Sequence, residues 1–191
     1  MLALALVLLA VPGCAQDTTT PPPTPPPVLS NEGLLHKYVW NTLGPSGWLQ
    51  ATLASGFDQW RDDPRAWGPD ADGYAQRWTS EFAASIIGGT TKYAVARVLD
   101  EDPSFTRCEC TGFKPRLRHA LASPFKARKR DNRYVLSAAT VVGLTAENVI
   151  PPVTWYPAPH GTRDGILNAT ASIFSKMGVD VFREFTGLPH H

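Results

Sequence analysis

The sequence predicts an all-α protein: a single compact bundle of about five or six helices joined by Pro-, Gly- and Asp-rich loops, after a disordered N-terminal tether. Three observations carry this. Apolar residues recur at three- and four-residue steps over several long stretches. Alternation of period two never persists beyond a few residues, and clusters of Pro, Gly and Asp separate one periodic stretch from the next.

Taken in order, Ser30 or Asn31 caps a first helix that aligns Leu34, Leu35, Tyr38 and Val39 and stops at Leu43-Gly44-Pro45. A second runs from Ser46 toward Trp60 and carries Leu49, Leu53 and Phe57. Residues 38–57 hold no charge, but Asn41, Gly44, Pro45, Gly47 and Gln50 argue against a membrane span, because they break the helix or bury polar groups. The text from 61 to 73 is a loop dense in Asp, Pro and Gly. Residues 74–99 form the longest helical candidate, with Trp78, Phe82, Ile86, Tyr93 and Val98 on or near one stripe. Two small pairs fall inside it, Ala84 with Gly88 and Ser85 with Gly89. Glycine in a helix costs about 1 kcal/mol against alanine, so these pairs imply the close approach of a neighbouring helix.

Asp100-Glu101-Asp102-Pro103 ends that helix. A short basic helix is expected over 115–122, and another over 134–149, with a small pair at Ala139 and Gly143 and a stop at Pro151-Pro152. The last helix, 164–185, repeats Ile166, Ala169, Ile173, Met177 and Val181 on one side, with Lys176, Asp180 and Arg183 elsewhere on the wheel.

Composition sets the outer limits. The chain has 191 residues, 18 % charged and 43 % hydrophobic, with six Trp, eight Phe and five Tyr, which excludes disorder of the whole chain. A net charge of +1 selects no class of partner. Residues 1–15 read as an export signal: an apolar run without the usual Lys or Arg, then Val11-Pro12-Gly13-Cys14-Ala15-Gln16. Two processing outcomes fit. Either Cys14 is lipidated in a bacterial lipoprotein box, or signal peptidase cuts after Ala15. Residues 16–30 form a linker with six prolines in seven positions, extended at roughly 3 Å per residue. The helical domain then occupies 31–188. The expected location is the bacterial envelope, as an outer-membrane lipoprotein or in the periplasm.

Several short stretches bear on kinship: Trp67-Gly68, Gly73-Tyr74 with Arg77, Asp100-Glu101-Asp102-Pro103, Trp155-Tyr156-Pro157 and Phe182-Arg183-Glu184-Phe185. Together they resemble an uncharacterised family of exported helical envelope proteins of acidobacterial type. The resemblance spans most of residues 34–187 and implies a single envelope domain with no catalytic assignment.

Candidate chemistry is sparse, and no motif implies a cofactor. Cys108-Glu109-Cys110 is a C-x-C whose thiols suit a soft metal or a redox pair, although incidental loop thiols fit as well. His160 and Asp164 share a loop in a spacing usable by a hydrolase, but no G-x-S-x-G supplies a nucleophile. The plainer expectation is that Asp164 caps the last helix and His160 lies in solvent. The aspartates between Asp62 and Asp72 offer oxygen ligands for calcium, or simply turns.

The clearest charge feature is Lys114, Arg116, Arg118, Lys126, Arg128, Lys129, Arg130 and Arg133, opposed only by Asp131. In an exported protein such a span faces an anionic lipid surface, each cation contributing about 1 kcal/mol, or another envelope protein, or neutralises the chain's own acidic patch. Nucleic acid is not an expected partner. Two functions of different class follow: a non-enzymatic envelope protein acting at a membrane surface or on another protein, and a small hydrolase or metal-dependent enzyme built on the His160/Asp164 loop or the acidic loop.

Overall fold

The computed structural model of the chain describes residues 28–186, so the expected export signal, Cys14 and most of the linker lie outside the described residues. Ser30 caps α1 (Asn31–Tyr38) by accepting from Gly33 N–H. A π-helical turn, Val39–Leu43, follows, and the chain reverses at Gly44 into α2 (Pro45–Arg61) with proline in its first turn. Asp70 caps α3 (Ala71–Val98), then come β1 (Glu101–Asp102), α4 (Phe113–Ala122), β2 (Lys126–Lys129), β3 (Tyr134–Leu136), α5 (Ala138–Thr154) and α6 (Thr162–Thr186). The all-α expectation holds, and α3 is its central element, packed between α2 and α5, with α6 on the far side of α5 and α4 against α6.

Two boundaries differ from those expected. Residues 134–136 form a strand rather than a helix, because Ser137 caps α5 only after them by accepting from Thr140 N–H. That strand, β2 and β1 make a small antiparallel sheet in the order β1-β2-β3. Its strands have two to four residues, too short for alternation to register. At the other end α5 continues through Pro151 and Pro152 to Thr154. Both prolines are buried and leave the helix without the N–H bonds they would have given to the carbonyls of Glu147 and Asn148, and the helix ends one turn later with the Pro151 carbonyl accepting from Trp155 and Tyr156 N–H.

The interior is unusual in composition. Apart from prolines and glycines, its buried apolar residues among those described are Ala51, Ala84, Ala96, Ala120, Ala127, Ala139 and Phe105. Buried beside them are Thr42, Ser55, Arg77, Ser80, Glu101, Asp102, Arg128, Ser137, Thr140, Asp180 and Glu184. Among the described residues every buried side-chain nitrogen and oxygen has a hydrogen-bond partner.

Close helix approach explains this, and the small pairs foretold it. A Cβ on Gly88 of α3 would stand 2.5 Å from the Glu147 Cβ of α5. One on Gly143 of α5 would stand 3.0 Å from the Gly88 carbonyl and 2.7 Å from the Lys92 Cβ. Gly89 likewise faces Thr42. Gly88→Ala is therefore expected to cost about 1–3 kcal/mol through overpacking. Gly56→Ala, on the open side of α2 with nothing within 4 Å, is expected to gain about 0.5–1 kcal/mol. Thermal or urea melts check both, and equal effects at the two positions would contradict the packing account.

Candidate functional site

On α2 the inward residues are Gly47, Ala51 and Ser55, four apart, and they alone are buried. The opposite side carries Leu49, Leu53, Phe57 and Trp60, exposed by 60, 65, 52 and 79 %. The second helix thus turns its apolar stripe outward. Trp48 borders the stripe; its ring meets Trp78 edge-on at 5.7 Å and Phe82 at 6.1 Å, and its Nε1–H donates to the Leu43 carbonyl. Trp78 Nε1–H donates to Thr52 Oγ1 at 3.0 Å. The aromatic seam between α2 and α3 therefore holds its polar atoms within the protein.

Helix α6 keeps Ala169, Ile173, Met177 and Val181 half-buried but also carries large apolar residues on its exposed side. Asp180 and Glu184 are fully buried, and Lys176 turns in to Asp180 at 3.3 Å. From Ile166 to Phe182 the exposed positions of α6 include Ile166, Leu167, Phe174, Val179 and Phe182 and no charged residue. Lys176 and Asp180, which fall off the apolar stripe on the wheel, turn inward, where Asp180 accepts from Ser123 Oγ and pairs with Lys176.

The loop expected to carry chemistry lies elsewhere. His160 is not in solvent: its side chain is 20 % exposed. Its Nδ1 lies 2.8 Å from the Pro157 carbonyl and its Nε2 lies 3.1 Å from Asp63 Oδ1. Asp164 does not sit at the cap position but three residues after it, where its carboxylate accepts from Gly161 N–H at 3.0 Å. The cleft beside them, about 360 Å³, is lined by residues 61–66 and 157–160, which include no Ser, Thr or Cys. The structure thus brings a carboxylate to His160 but no nucleophile, and both ring nitrogens are occupied.

The acidic loop is organised from inside by Arg77. All five of its N–H groups are used: Nε to the Asp63 carbonyl, Nη1 to Gln59 Oε1 and the Gly68 carbonyl, Nη2 to the Pro64 carbonyl and Asp62 Oδ1. Asp70 caps α3 through Gly73 N–H.

Cys108 and Cys110, read from sequence as a soft-metal or redox pair or as incidental loop thiols, are joined as a disulfide. The basic span is not one surface. Arg116 pairs with the buried Glu184 at 2.8 Å and stacks over Phe185, while Arg128 is buried. Lys129 donates to the Leu99 carbonyl, Arg130 pairs with Asp100, and Arg133 pairs with Asp131. Lys114, Arg118 and Lys126 remain exposed without an ion pair among the described residues.

Sequence reasoning missed a line of half-buried acids between α2, α3 and α5. Glu81 accepts from the Tyr156 hydroxyl at 3.1 Å, and burial, reinforced by Asp58, pushes its carboxyl up to about 7. Burial and then Glu81 raise Glu147 to about 7, and burial and then Asp63 raise Asp58 to about 6. One signal was present: Glu147 lies four residues after Gly143, and Glu81 four after Arg77, both in register with the stripe that faces a neighbouring helix.

Comparison with protein-family models, curated proteins and solved structures finds no match.

The raised acids fix a direction for pH. Between about 4.5 and 7 the folded chain holds protons that the unfolded chain releases, so stability falls as pH rises through that window. His160 acts in the same sense. Burial opposes its charge, but the Pro157 carbonyl and Asp63 outweigh burial and raise its pKa, so its contribution is also lost as pH rises. The melting temperature is expected to drop between about pH 5 and 8, and Glu81→Gln with Glu147→Gln to flatten that drop. A melting temperature that climbs over this interval would contradict the assignment.

Proposed function

We propose that this is a non-enzymatic envelope protein whose helical domain docks on a lipid surface through the outward apolar stripe of α2, with the apolar side of α6 providing further contact. One observation carries the reading: four large apolar side chains of α2 face out while Gly47, Ala51 and Ser55 face in. Water as the only neighbour of that face would leave each large side chain short of about 1.5–3 kcal/mol of burial.

Three features favour lipid over a second protein. Small residues at the helix seams with large apolar residues outside match helices that pack in an apolar surrounding. Large apolar residues are exposed on α2, α5 and α6 alike, and an acyl-chain surface accepts them without the shape-matched patch of about 800 Å² that a protein partner needs. Tryptophan, here Trp48 and Trp60, suits the boundary between headgroups and acyl chains. No helix among the described residues is long and apolar enough to cross a membrane, so the contact proposed is interfacial. An export signal and a lipidated Cys14 fit this reading and would hold the domain within reach of the bilayer.

The test separates the domain from any anchor. The chain from Gln16 onward lacks Cys14 and the apolar run before it, and is expected to float with vesicles of phosphatidylethanolamine and phosphatidylglycerol. Leu53→Ser with Phe57→Ser, both exposed, is expected to leave the thermal melt unchanged and to weaken flotation at least tenfold. Failure of the parent to float, or undiminished flotation of the double variant, would refute the proposal.

A further inference from the structure

One cavity draws cations from three helices. It measures about 180 Å³ and is lined by Lys37 of α1, Lys92 of α3, and Lys176 and Arg183 of α6, with no carboxylate on its wall. Hydroxyl and amide groups share the lining, among them Tyr38, Asn41 and Ser104, and Leu34 and Phe105 make part of it apolar. Among the described residues Lys37, Lys92 and Arg183 have neither an ion pair nor a side-chain hydrogen bond. Lys176 alone is paired, to Asp180 at 3.3 Å. Nearby acids balance the set in part, Asp102 acting on Lys37 and Asp180 with Glu147 on Lys92, and none of them lines the recess. Asp102 is occupied by the backbone N–H groups of Leu29 and Ser104, each at 3.0 Å. Glu147 is pushed up to about 7, first by burial.

The cations press on one another. Burial and then Lys176 lower the Lys92 ammonium to about 8, against the pull of Asp180 and Glu147. Lys37 is lowered by burial; Asp102 opposes this, and Arg183 adds to it by a smaller amount. Four cations around one recess, of which only Lys176 is in an ion pair among the described residues, cost stability unless an anion enters between them.

We propose that this cavity is a binding site for a phosphate-class oxyanion, with Lys37, Lys92 and Lys176 converging on its oxygens and Arg183 closing the mouth. Lysine and arginine form the short, charge-assisted bonds that such oxygens accept. Leu34 and Phe105 leave room beside the oxyanion for the first carbons of an attached chain, so its source is either free phosphate or the headgroup of a phospholipid. The inference does not rest on the lipid-docking reading.

The experiment is a thermal melt of the full chain, titrated at constant ionic strength with inorganic phosphate, with monomeric dihexanoyl phosphatidic acid, or with chloride. A saturable rise with phosphate, absent with chloride, supports the site with a free oxyanion as ligand. A rise with the short-chain lipid alone supports it with a headgroup as ligand. Without ligand, Lys92→Met is expected to melt at or above the parent temperature, because it removes a repelled cation. With ligand it is expected to bind at least tenfold more weakly. Arg183→Met, at an exposed position, repeats the test should Lys92→Met fail to fold. No response beyond chloride in the parent, or variants that respond as the parent does, would overturn the proposal.

Discussion

The Gly88 carbonyl of α3 lies where a Cβ on Gly143 of α5 would be only 3.0 Å away, and the two helices keep that distance only while both positions lack side chains. A seam this narrow has no room for Leu, Phe or Trp. What fits inside is Ala, Ser, Gly and a few charged groups, and among the described residues every buried side-chain polar atom has a partner. The larger apolar residues are left for the outer faces, and α2 and α6 present them there. Backbone proximity at the centre of the bundle thus accounts for the exposed apolar faces on which the proposed lipid contact rests.

Charge then does the work that apolar packing does in other small domains. Arg77 spends all five donors on the loop between α2 and α3. Glu184 gathers Arg116 and the Cys108 N–H at the end of α6, and its own carbonyl accepts from Arg107 and Arg116. Glu101 reaches Ala139 N–H at the start of α5. Such hubs are intolerant of change, because losing one partner strands the others in a dry interior. The short stretches that stood out in the sequence fall on these hubs: Trp67 packs on Tyr156 at 5.1 Å, Trp155 Nε1–H donates to Ser80 Oγ at 2.7 Å, and Tyr156 donates to Glu81. Their roles here are architectural.

How much was legible beforehand divides along physical lines. Helix ends were legible where local chemistry sets them, as at Ser30, Pro45 and Asp100. The close approach of α3 and α5 was legible in Gly88 and Gly143. The direction of each face was not, because a stripe such as Leu49, Leu53, Phe57 gives the same periodicity whether it points in or out; what settled it was the opposing stripe Gly47, Ala51, Ser55. The strands were hidden by their length. The candidate sites were legible only in part. His160 meets Asp63 across 97 positions of sequence and Arg116 meets Glu184 across 68, and the cations of the cavity come from three separate helices. No local pattern encodes such pairs, so a basic span that looks uniform in sequence is divided by the fold between buried partners and surface.

The central claim, that the outward face of α2 lies against acyl chains, is tested most directly by the tryptophans themselves. Trp60 and Trp48 are 79 and 56 % exposed, so emission of the chain from Gln16 onward can be followed as vesicles with brominated acyl chains are added. The account predicts a blue shift and strong quenching relative to unbrominated vesicles, much of it lost in Trp60→Phe. Emission that stays unshifted and equally bright with both kinds of vesicle would contradict it.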